Sequence, residues 1–174
     1  MNALTKQLSN YANYHRDPRN IATHIFGVPM IVLAVTAFLS RPAFDLGGFT
    51  FSPAWVAVAL STIFYLRLDL RFGLTMGALL SGSALLAARL AALPTASWLI
   101  ASVALFGIGW VIQFVGHYYE GRKPAFVDDL VGLLVGPLFI TAEAAFALGL
   151  RKELKAAIEE VSGPVRQRQA AAAS

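Results

Sequence analysis

An apolar run from Ala96 to Gly116 comfortably meets the ~20 residues that a helix needs to cross the hydrocarbon core of a bilayer, and no other run meets it as easily. Composition points the same way. Of 174 residues, 57% are hydrophobic and 14% charged, against about 45–50% and about 25% in soluble domains, so the chain reads as an integral membrane protein of one domain. The absence of cysteine excludes disulfides, iron–sulfur clusters and thiolate zinc sites, and leaves His, Asp, Glu, Asn and Gln as possible ligands. A formal charge of +4 is what cytoplasmic Lys and Arg and anionic headgroups account for by themselves; membrane lipid is an expected partner and nucleic acid is not. The polar N-terminal stretch, with Asp17-Pro18, lacks the apolar segment of a signal peptide, so the first apolar helix is predicted to act as the insertion signal.

Leu4, Leu8, Tyr11 and His15 recur at spacings of four, three and four, which predicts a short interfacial helix over residues 2–16 with His15 on its apolar side. Asp17 is a candidate N-cap and Pro18 a suitable first helical residue for the next helix, which carries Asn20 and His24 on one face and runs through Gly27 and Pro29 to Leu39. Arg41 to Ser52, with Pro42, Asp45, Gly47 and Gly48, reads as a loop. Two further apolar runs, Pro53–Leu66 and Phe72–Leu90, flank the charged turn at Asp69. Gly73, Gly77, Ser81, Gly82 and Ser83 give the second of them a surface for close packing. Leu93-Pro94-Thr95 precedes the run that begins at Ala96, and Asp128-Asp129 caps a last run, Leu130–Leu150, interrupted by Pro137 and Glu143.

The predicted fold is all-α: a polytopic helical membrane protein with four to five transmembrane helices and an N-terminal interfacial helix. Residues 1–150 form a single membrane catalytic domain, and 151–174 an amphipathic, low-complexity cytoplasmic tail without assigned function. With the N-terminus in the cytoplasm, the first span begins and the fourth ends there, so His15, His24, His117 and Glu120 share one membrane face. Five spans would put Arg151, Lys152 and Lys155 outside, against the positive-inside rule. One shorter run is therefore expected not to cross, either the last or one of the pair between Pro53 and Leu90.

The chain has three histidines. On a helix Gln113, His117 and Glu120 fall within roughly 60° of one another, which puts an amide, an imidazole and a carboxylate on one face. A lone His117 bonded to water and a carbonyl is the plainer reading, but three imidazoles at cytoplasmic helix ends form a candidate metal site of His15, His24 and His117. Fe(II), Zn(II), Mn(II) and Cu(II) all suit such a set. Asn20 and Gln113 can hold an imidazole's free N–H or simply join helices. Glu120 fits as ligand, as base or as a solvated carboxylate. Glu143, inside an apolar run, is a catalytic candidate unless a nearby Arg or Lys pairs with it. Arg122 and Lys123 anchor the helix end or bind an anionic headgroup, and Tyr118, beside Tyr119, belongs to the aromatic belt or to that headgroup site.

Taken together, Tyr11 to His15, Asn20 to His24, Gly27 and Pro29, then Gln113, Gly116, His117, Glu120, Pro124-Ala125, Pro137 and Glu143 resemble the membrane 2-hydroxy fatty acid dioxygenase family, over roughly residues 8 to 147. The resemblance implies an Fe(2+)-dependent α-oxidation. In it O2 cleaves the C1–C2 bond of a 2-hydroxy long-chain fatty acid to give an acid one carbon shorter, with His15, His24 and His117 on the iron and Glu120 assisting. A bacterial inner membrane with the site on the cytoplasmic side is the expected home, or the endoplasmic reticulum in a eukaryote. The alternative is a non-enzymatic membrane carrier or assembly protein with structural or metal-binding histidines, although no inverted repeat supports a transporter. Di-iron lipid desaturases need clustered histidine boxes that three histidines cannot supply, whereas a haem with two axial histidines stays open. Oligomeric state is not readable.

Overall fold

The computed structural model describes residues 1–166, and these are predominantly helical. The alanine-rich end of the predicted tail lies outside the described residues. Helix α1 (Ala3–Ala12) starts at Asn2, whose side chain accepts a hydrogen bond from the Thr5 amide at 2.8 Å. Its expected apolar stripe is present, but protein covers it instead of a lipid surface: Leu4, Leu8 and Tyr11 are buried in a core shared with the C-terminal helices. Helix α2 (Pro18–Ser40) begins as the sequence predicts, with Asp17 accepting from the Arg19 amide and Pro18 in the first turn.

The stretch expected as a loop contains a small antiparallel hairpin, β1 (Phe44–Leu46) and β2 (Phe49–Phe51). Its two-residue turn, Gly47-Gly48, has positive φ at both positions, which is the geometry that glycine permits without strain. After it come α3 (Pro53–Leu68) and α4 (Leu70–Ala91), joined at Asp69, then α5 (Thr95–Glu120). Three helices, α2, α4 and α5, are long and apolar enough to cross a bilayer, where the sequence predicts four to five spans. Helix α3 is shorter, 16 residues or about 24 Å at 1.5 Å per residue. It packs antiparallel on α4, with Gly73 against Leu66 and Gly77 against Thr62; Gly82, expected on the same packing surface, faces open space.

Helices α2 and α5 meet closely because glycine removes the side chains between them. A Cβ on Gly27 would stand 3.0 Å from the Gly109 carbonyl, one on Gly109 2.7 Å from Ile31, and one on Gly116 would run into Thr23 and Asn20. At the far end of the same antiparallel pair the Trp98 indole donates to the Ala37 carbonyl at 3.2 Å. The crossing sets Asn20 and His24 against Gly116 and His117.

The last apolar run forms α6 (Gly132–Ala147), which bends by 119° into α7 (Lys152–Ser162) and does not make a fifth span. Its entry is tied by the Tyr14 hydroxyl donating to Asp128 at 2.7 Å, and its exit by Arg151 paired with Asp69 at 2.8 Å. Tyr14 lies on the histidine face. Asp69 does too, because Arg41 at the other end of α2 bonds to the Ala91 and Leu93 carbonyls, so α3 returns from that opposite face. Helix α6 therefore enters and leaves on the histidine face. The tail stays there: Ser162 donates to the Ser9 carbonyl and the Arg166 amide to the Arg16 carbonyl.

Candidate metal centre

Three segments bring their histidines together: the α1–α2 corner, the first turns of α2 and the last turn of α5. The ligand atoms of His15, His24 and His117 all lie within 4.8 Å of one another, and all three residues are buried. No carboxylate joins this group among the described residues. Two of the rings are aimed by the main chain one turn back. The Nδ1 of His15 donates to the Tyr11 carbonyl at 2.8 Å, and the Nδ1 of His24 to the Asn20 carbonyl at 2.9 Å, both one helical turn back. Tyr11 also stacks on His15, ring planes 3° apart, and Phe139 of α6 packs at its side.

With both Nδ1 hydrogens committed, the two Nε2 atoms face each other as bare lone pairs 3.0 Å apart. Two nitrogens about 2.1 Å from a common ion can stand at that separation. The Nδ1 of His117 is buried and without a hydrogen-bond partner. Burial holds the His15 imidazolium well below its ordinary pKa, so the ring stays in the neutral form that ligates metals. Unpaired lone pairs in a buried site fit a cation, and nitrogen ligands without thiolate suit a first-row transition metal.

Glu120 does different work. Its Oε2 accepts from the Arg16 amide at 2.9 Å, the Asp17 amide at 2.7 Å and the Asn20 side chain at 3.2 Å, and Arg166 reaches its other oxygen at 3.3 Å. This carboxylate clamps the start of α2 to the end of α5. Glu143 pairs with the buried Arg16 at 3.7 Å, the partnership weighed against a catalytic role. Arg122 donates to the Asn13 carbonyl, and Lys123 pairs with Asp128 on the exposed surface. Tyr118 is 82% exposed, with its ring against Tyr119, and the structure does not bring it to the histidines. The main-chain carbonyls of Tyr11 and Asn20, not the Asn20 and Gln113 amides, hold the imidazole N–H groups. Gln113 lies buried beside His24 and His117 with its side-chain oxygen unpartnered.

Sequence reasoning did not single out Arg16 or Trp110. Arg16 is buried between Glu143 and the Gly163 carbonyl, and Trp110 lines the cavity against the histidines. Trp110 stands one turn before Gln113 on the same stripe of α5, a signal that the spacing alone carried. That cavity, about 70 Å³, is otherwise walled by mostly apolar residues of α2, α6 and the segment Pro124-Ala125-Phe126, with Tyr11 of α1.

A helical membrane protein with a buried three-histidine cluster at one face is the class that the fold and site define. The family model described as "2-hydroxy-palmitic acid dioxygenase Mpo1-like" matches residues 1–148. The Saccharomyces cerevisiae protein named 2-hydroxy-palmitic acid dioxygenase MPO1 is 38% identical over 160 residues, covering 90% of this chain and 87% of the relative. The chain belongs to this Mpo1-like family. No solved structure matches it.

Proposed function

We propose that the protein is an iron-dependent dioxygenase that shortens 2-hydroxy long-chain fatty acids by one carbon. Kinship with a protein named for 2-hydroxy-palmitic acid supports the substrate class. The observation that carries the metal is the pair of Nε2 lone pairs facing each other at 3.0 Å beside the unpartnered Nδ1 of His117. His15, His24 and His117 are the residues that would hold the ion. A ferrous ion bound there would supply open positions for the carboxylate and hydroxyl of a 2-hydroxy acid and an electron source for O2.

The protein's own part is positioning. Gln113 offers its unpartnered oxygen to the substrate hydroxyl, and the apolar walls of the cavity keep bulk water from the reacting carbons. Glu120 and Asn20 fix the helix crossing that sets the histidines, Glu143 neutralises Arg16, and Arg122 and Lys123 supply cations on the water side for the carboxylate as it enters. The balance closes with one O2 consumed, C1 released as carbon dioxide and one water formed. Residues 1–150 form the catalytic unit, and the tail braces it through α7. Lys6, Arg67, Arg71, Arg122, Lys123, Lys152 and Lys155 gather on the histidine face, so that face is cytoplasmic. The apolar helices put the protein in a membrane; a bacterial inner membrane draws no support from a yeast relative.

Oxygen uptake by anaerobically purified protein loaded with Fe(II) and given 2-hydroxypalmitate tests the reading. Uptake matched by pentadecanoic acid, and lost in His117→Ala, is expected. Iron binding without uptake would leave a metal-binding carrier in its place.

A further inference from the structure

Toward the membrane interior the cavity at the histidines has a neighbour. A second cavity of about 370 Å³, almost entirely apolar, lies between α2, α3, α5 and α6. Ile31, Val32, Trp110, Leu133 and Pro137 line both, so the two adjoin. On α2 the lining positions His24, Val28, Ile31, Val35 and Leu39 recur at spacings of three and four, which makes one stripe from the metal centre to the opposite face. On α5 Phe106, Trp110, Gln113 and His117 do the same. Both stripes are polar only at the histidine end. Val35 and Phe106, 42% and 39% exposed, mark where the groove opens sideways toward lipid. At its far end stand Leu39 and the small residues Ala54 and Ala57 of α3.

We infer that this groove holds the acyl tail of the 2-hydroxy acid, and that Leu39, Ala54 and Ala57 set the preferred chain length. The inference rests on the substrate class proposed above. Leu39 lies about 22 Å beyond His24 along the helix axis, at 1.5 Å per residue. That is the reach of an extended palmitic-length chain whose carboxylate and hydroxyl stay at the histidines. Lateral opening lets a lipid-dissolved substrate slide in from the bilayer while its charged end travels along the water side, so neither end crosses an unfavourable medium.

Two kinds of experiment test it. In the first, Ala54→Phe and Ala57→Phe fill the far end and Leu39→Ala lengthens it, and each variant is assayed on 2-hydroxy acids of twelve to twenty carbons. Expected is a loss of about tenfold or more in kcat/KM for 2-hydroxypalmitate with the twelve-carbon acid kept within about twofold, and a shift toward longer chains for Leu39→Ala. Retained activity on the short acid shows that a variant is folded. An unchanged length profile, or an equal loss at every length in a variant whose Tm in detergent matches wild type, overturns the inference. In the second, with Trp55 and Trp98 replaced by Phe, a 2-hydroxypalmitate brominated at mid-chain is added to metal-free protein, where turnover plays no part. Quenching of Trp110 that unlabelled 2-hydroxypalmitate reverses supports the groove. Quenching by brominated phospholipid that 2-hydroxypalmitate does not reverse means that bilayer lipid alone fills it, and overturns the inference. If the wild-type protein turns over no 2-hydroxy acid of any length, the proposed activity fails, and the quenching still decides whether the groove binds such acids.

Discussion

At Glu120 one carboxylate oxygen accepts two main-chain amides and a side-chain amide from the start of α2, so a single group sets where His15 and His24 stand relative to His117. Removing it leaves the Arg16 and Asp17 amides buried and unpaired, at about 1–3 kcal/mol. Glu120→Ala is expected to weaken Fe(II) binding about 10–100-fold, the range for groups that orient metal ligands, as read by competition with a metal-sensitive dye. Glu120→Gln keeps an acceptor oxygen and is expected to lose less. Equal affinity in the alanine variant would show that the clamp does not set the site. Tyr118→Ala, at a side chain exposed on the outer face of α5, is expected to change oxygen uptake by less than about twofold, as most exposed substitutions do. The three histidines were legible as a group because each sits at a helix end and parity puts those ends on one face. What stayed hidden was their aim. Which carbonyl takes each N–H, and the stacking of Tyr11 on His15, depend on backbone paths that spacing does not encode.

Among the elements, the apolar runs located every long helix, and Gly73 and Gly77 fell where α4 packs closely on α3, whereas Gly82 did not. The fate of α6 could not be read from composition, because a run that dips into the bilayer and one that crosses it are equally apolar. What decides it is a pair of long-range contacts at its ends, Tyr14 with Asp128 and Arg151 with Asp69. Asp69 also caps α4 by accepting from the Phe72 amide at 3.0 Å. The hydrogen bond from Arg151, more than the cap itself, holds its carboxyl below the ordinary value of 3.8. A depressed folded pKa means that the unfolded chain binds the proton first. The stabilisation is thus complete above the ordinary carboxylate range and fades as pH falls through the lower folded value. Asp69→Asn is expected to lower stability by on the order of 1 kcal/mol at pH 7, with the gap to wild type closing below about pH 4. A gap that persists under acid would mean that the charge contributes nothing there. The hairpin at Gly47-Gly48 was missed for a simpler reason: strands of three residues leave no alternation long enough to recognise.

For the whole molecule, the decisive arrangement is that residues from both ends of the chain meet at one membrane face. The chain contains no cysteine, so single replacements report sidedness directly. In sealed vesicles Lys6→Cys and Lys155→Cys are expected to react with an impermeant maleimide from one side, and Asp45→Cys from the other. Lys155→Cys labelling together with Asp45→Cys would make α6 a true span and place the tail opposite the histidines. A buried core joining α1, α6 and α7 further implies that truncation after Leu150 lowers the Tm measured in detergent, since it uncovers Leu4 and Leu8. The most direct measurement is the metal content of protein purified anaerobically in detergent and reconstituted with Fe(II), wild type beside His15→Ala, His24→Ala and His117→Ala. One iron per chain is expected in the wild type, with retention falling in each of the three variants. Iron held equally well by all four proteins, or by none, would contradict a centre shared by the three histidines.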